Sequence, residues 1–68
     1  LYSREERIAR ALEVIEANGL ITLSDYAYIN NLSRTAASLE LKEVTADRTS
    51  PIGSMGSGSH KVWVKRKE

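Results

Sequence analysis

The sequence contains no cysteine, which excludes a disulfide framework and any thiolate metal site. It contains a single histidine, His60, so a transition-metal site would need carboxylates almost alone. No serine is visibly partnered with a histidine and an acid. The run "GSMGSGSHK" lacks the G-x-x-x-x-G-K-[ST] spacing of a phosphate-binding P-loop and follows no strand–helix unit. No apolar run approaches the roughly 18–20 residues of a membrane span, and no signal peptide is visible. Read together, these absences argue against an enzyme, a metal or a cofactor, and the missing cysteines favour the cytoplasm. The sequence starts at Leu1 instead of Met, so an excerpt of a longer protein is expected.

What remains fits one small folded domain over residues 1–68. A chain of this size buries only about 60% of its unfolded surface, so its core must be economical. Hydrophobic residues make up 41% and charged residues 28%, values of a globular chain and not of a disordered one. The net charge of +1 hides an uneven distribution. Residues 1–33 set Arg4, Arg7 and Arg10 against five carboxylates, giving −2. Residues 34–67 set seven cations against Glu40, Glu43 and Asp47, giving +4. Such asymmetry hints at a polyanionic partner, although a solvated basic tail would look the same.

The helices announce themselves by their caps. Ser3 followed by Glu6 forms a capping box, and Ile8, Ala11, Leu12 and Ile15 then recur on one face. Asn18-Gly19 stops this first helix, because glycine accepts the left-handed conformation at a C-terminus. Leu20 to Leu23 reads as a short edge strand or extended connector. Thr22 or Ser24 caps a second, shorter helix with Asp25 in its first turn and Tyr26, Ala27 and Ile29 facing inward. Asn30-Asn31 breaks it, and Leu32 packs inward. Ser33 caps a third helix, "RTAASLELKEV", buried through Ala37, Leu41 and Val44.

"TADRTSP" reads as a loop. Beyond it, Ile52 to Met55 and "HKVWV" are β-capable stretches flanking the glycine–serine run, the arrangement of a hairpin. A tether would leave "VWV" without a sheet to join, and a tryptophan buries too much area to dangle free. Val62 and Val64 therefore share one face and Trp63 takes the other.

Helix, short strand, helix, tight turn, helix, hairpin is the order of a winged helix-turn-helix domain. "ITLSDYAYINNLSRTAASLELKEV" together with "GSGSHKVWV" resembles that family over nearly the whole chain. Asn31 stands where the family usually has glycine, and Ala27 and Ala37 where it has small or buried residues. The resemblance implies an α+β fold, a three-helix core with a C-terminal β-hairpin wing, of the bacterial or phage transcription-regulator type. It implies sequence-specific binding of double-stranded DNA, by a transcription regulator or by the DNA-targeting module of a larger protein. Helix 33–44 would enter the major groove, and the 53–61 wing would rest on the backbone or minor groove. A homodimer on a two-fold site is a further expectation.

On that reading Arg34 pairs with guanine or grips a phosphate, while Thr35 and Ser38 donate to phosphates or bases. The helix start at Ser33 faces a phosphate, and Lys42 approaches the backbone. At the wing, Ser57, Ser59, His60 and Lys61 bind phosphate or enter a minor groove. Lys65, Arg66 and Lys67 either extend this footprint or form a frayed charged tail. Two departures from the family pattern stand out. "TADRTSPI" is longer and more polar than the usual turn after the third helix. Leu39 and Glu40 occupy positions where DNA readers often carry polar or basic residues; Leu39 is expected half buried or on a thymine methyl, and Glu40 facing away. These departures, the near-neutral charge and Tyr28 keep a second class open, a winged-helix protein-interaction module that binds no nucleic acid.

Overall fold

The computed structural model describes residues 1–66 of the chain. Three helices, α1 (Arg4–Asn18), α2 (Leu23–Ile29) and α3 (Arg34–Ala46), precede an antiparallel hairpin of β1 (Ile52–Met55) and β2 (Val62–Lys65). This is a small α+β domain, and each boundary has a local cause. Ser3 caps α1 by accepting the Glu6 amide at 3.2 Å, and Glu6 returns the favour to the Ser3 amide at 2.9 Å. Gly19 ends the helix at φ 87°. Thr22 caps α2 through the Asp25 amide at 3.1 Å, which settles the choice between Thr22 and Ser24. Asn31 takes the left-handed φ of 55° between α2 and α3. Ser33 caps α3 through the Ala36 amide at 3.1 Å.

The core lies between the three helices and one face of the hairpin. Ala11 and Ile15 of α1, Tyr26 and Ala27 of α2, and Ala37, Leu41 and Val44 of α3 meet Ile52 and Trp63 there. Ile29 and Leu32 are only half buried, packed at its margin. The Leu20–Leu23 run does not form a strand of its own: Leu23 already belongs to α2. Only Ile21, fully buried, pairs with the hairpin, exchanging both backbone hydrogen bonds with Trp63 at 2.9 Å.

Glu40 departs from expectation: it points inward, 7% exposed. Arg7 of α1 grips its carboxylate with two prongs, Nε at 2.7 Å and Nη2 at 2.5 Å, and the Tyr26 hydroxyl donates at 2.5 Å. Arg4 stands 3.4 Å away and also pairs with Glu43 at 2.6 Å. Burial alone would push the Glu40 carboxyl up. The hydrogen bonds from Arg7 and Tyr26, with the charges of Arg7 and Arg4, outweigh it and hold the carboxyl below its ordinary value. Burial and that carboxylate push the Tyr26 hydroxyl well up. Arg10 completes the N-terminal set by donating to the Ile29 carbonyl at 2.9 Å.

The polar stretch after α3 is also held. The Asp47 carboxylate accepts from the Thr49 hydroxyl at 2.7 Å and the Thr49 amide at 2.9 Å. The Arg66 guanidinium donates to the Thr45 and Asp47 carbonyls, each at 3.0 Å. Carbonyls at a helix C-terminus lack intrahelical partners, and Arg66 supplies them.

Candidate nucleic-acid interface

The hairpin loop, residues 56–61, is a built turn. Register runs from Ile52 opposite Lys65 to Met55 opposite Val62, and a single 3₁₀ turn, Gly58–His60, closes the connection. His60 therefore sits in the loop, not in the β2 strand where "HKVWV" had suggested it. Gly56 is required by geometry. Its φ is 83°, and a Cβ there would lie 2.8 Å from the His60 carbonyl oxygen. Trp63 points into the core at 6% exposure while Val62 and Val64 are half buried on the other face.

Because Ile21 fastens Trp63 to the start of α2, the loop folds over α3. A cleft of about 640 Å³ opens between the hairpin loop, α3 and the N-terminal end of α2. It gathers Arg34, Ser38 and Lys42 from α3 with Ser59, His60 and Lys61 from the loop. Six of the residues expected to contact DNA thus share one concavity. Ser33, Thr35 and Ser57 do not line it. The Ser33 hydroxyl is occupied as a cap, and Thr35 lies exposed on the outward side of α3.

Sequence reasoning missed Thr22, Ser24 and Trp63 as cleft residues. Ser24 accepts a hydrogen bond from Arg34 Nη1 at 2.5 Å, which holds the guanidinium at the cleft. The Lys61 ammonium stands 5.9 Å from the centre of the Trp63 ring, within cation–π range. Trp63 Nε1 is buried and has no hydrogen-bond partner among the described residues.

Apart from Arg48, which is exposed, pairs with no carboxylate among the described residues and lies outside the cleft, the described cations fall into two groups. Arg4 and Arg7 are spent on Glu40 and Glu43, Arg10 on a backbone carbonyl, and Arg66 on the end of α3. Lys65 stands 3.8 Å from Glu16. Neither Lys65 nor Arg66 belongs to the cleft, and Lys67 lies outside the described residues. Among the described residues, Arg34, Lys42 and Lys61 pair with no carboxylate, and no acidic side chain lines the cleft. Like charges gathered without counterions repel one another and raise the local potential. An anion entering the cleft removes that cost.

No helix among the described residues is long and apolar enough to cross a membrane. Nor do they contain a group of three or more His, Asp or Glu side chains able to hold a metal ion. Compared with known protein families, curated proteins and solved structures, the chain matches none.

Proposed function

We propose that this chain is a winged helix-turn-helix domain that binds double-stranded DNA, as a transcription regulator or as the targeting module of a larger protein. One observation carries the reading: Arg34, Lys42 and Lys61 converge on a cleft without a carboxylate. The outward face of α3 enters the major groove, and the backbone of one strand runs along the cleft between α3 and the wing. Arg34, Ser38, Lys42, Ser59, His60 and Lys61 contact phosphates, which give affinity and register; base edges met by the outer face of α3 give specificity. Gly56 and Gly58, both at positive φ, keep the wing tip narrow.

Fluorescence anisotropy of a labelled duplex, titrated at several salt concentrations, tests this. About three to five neutralised phosphates give a log–log slope of roughly −3 to −4.5. Arg34→Ala with Lys61→Ala flattens the slope. Absence of binding at low salt would sink the reading.

A second reading has its own observation. Tyr28 is 88% exposed on α2, away from the cleft, as a contact residue of a protein-interaction module would be. Loss of a partner on Tyr28→Ala, with no DNA binding by the unaltered chain, is the outcome that favours it.

A further inference from the structure

Apart from Lys42, which also lines the cleft, the outward ridge of α3 carries no side chain that reads bases by paired hydrogen bonds. At 3.6 residues per turn, the positions opposite the buried stripe of Ala37, Leu41 and Val44 are Thr35, Leu39, Lys42 and Ala46, all exposed. Arg34 lies to one side, drawn toward the cleft by its hydrogen bond to Ser24. Glu43, on the other side, is tied to Arg4 at 2.6 Å. At the centre of the ridge stands Leu39, 60% exposed, with the methyl-bearing Thr35 one turn before it. A leucine has no donor or acceptor for a base edge. The one apolar feature of the major groove is the 5-methyl group of thymine.

We infer that α3 reads thymine methyls in the major groove, with Leu39 as the residue that selects A·T pairs at its centre. The inference rests on the DNA-binding reading above, and it names what that interface discriminates. Lys42, on the same ridge, and Arg34, at its flank, supply the charge complementarity that seats an apolar ridge against a polyanion. The Leu39 side chain then covers the methyl group, and water leaves both apolar surfaces. Specificity here comes from shape and desolvation, without a bidentate hydrogen bond.

The test compares two alternating A·T duplexes that differ only in the replacement of thymine by uracil. Uracil keeps every hydrogen-bonding group and loses the methyl. The intact chain should bind the thymine duplex more tightly by about fourfold for each methyl covered. Leu39→Ala, at an exposed position, should leave the fold intact by circular dichroism and bring the thymine-to-uracil ratio close to one. Equal affinity of the intact chain for the two duplexes, with salt-dependent binding retained, overturns the methyl inference and leaves the DNA-binding reading standing. A preference that survives in Leu39→Ala also overturns it, because the discrimination then does not lie in Leu39. No binding to either duplex at low salt overturns both.

Discussion

Arg7 and Glu40 meet as a two-pronged pair that ties α1 to α3, with the Tyr26 hydroxyl of α2 on the same carboxylate. One acidic side chain thereby joins all three helices. Removing one partner of such a pair leaves an uncompensated charge in poor solvent, whereas removing both does not. Glu40→Met or Arg7→Met alone should therefore destabilise the domain by about 3 kcal/mol. Arg7→Met with Glu40→Met should cost less than either single change. Urea unfolding of the two singles and the double, read as a cycle, checks the order.

The same carboxyl makes the fold sensitive to acid. Its native pKa lies below the ordinary 4.5, so the native state binds fewer protons than the unfolded chain in the interval between them. Stability is fully present above the ordinary carboxylate range and is lost as pH falls through the lowered native value. Glu6 and Asp47 act in the same direction, lowered by hydrogen bonds from Ser3 and Thr49. Urea midpoints measured from about pH 6 down to about pH 2 should fall. The fall should be shallower, but still present, in Glu40→Gln.

Arg66 offers a way to separate structural from functional charge. Arg66→Ala removes two hydrogen bonds to carbonyls at the end of α3 and should cost about 1–3 kcal/mol. Its removal should leave the salt slope of DNA binding unchanged, because Arg66 lies outside the cleft. Lys42→Ala should do the reverse, reducing the slope by about one with little effect on stability. Paired anisotropy and unfolding measurements distinguish them.

Gly56→Ala strikes the hairpin loop alone. The added Cβ meets the His60 carbonyl at 2.8 Å, and the residue must keep a φ of 83°. The strain is about 1–2 kcal/mol from the left-handed backbone, with the collision adding to it. Trp63 is the single tryptophan and lines the cleft, so its fluorescence should report the rearranged loop. DNA affinity should drop while the helical circular dichroism signal holds.

Helix starts were readable because capping is local: Ser3, Thr22 and Ser33 act on amides three residues ahead. The hairpin was readable because "VWV" needed a sheet and a buried face for its tryptophan. Glu40 was not, although a signal existed. It lies three residues after Ala37 and four before Val44, on the buried stripe, and a carboxylate there demands a cation. That cation, Arg7, is supplied from another helix, and no spacing rule connects the two. Arg66 was hidden more completely, since its partners are backbone carbonyls with no residue signature. The cleft could be guessed from α3 and the loop separately. That Ser24 and Trp63 join it follows only from the pairing of Ile21 with Trp63.

That pairing also orders events in time. Ile21 and Trp63 lie on opposite sides of α2, α3 and β1, and their backbones exchange two hydrogen bonds. Closing so long a loop carries a large entropic cost before any contact repays it. On the ribosome, the helices emerge first with Ile21 unpartnered and the seat of Trp63 empty. The core is sealed only after residue 63 has left the exit tunnel, so the hairpin is the last part of the core to be supplied.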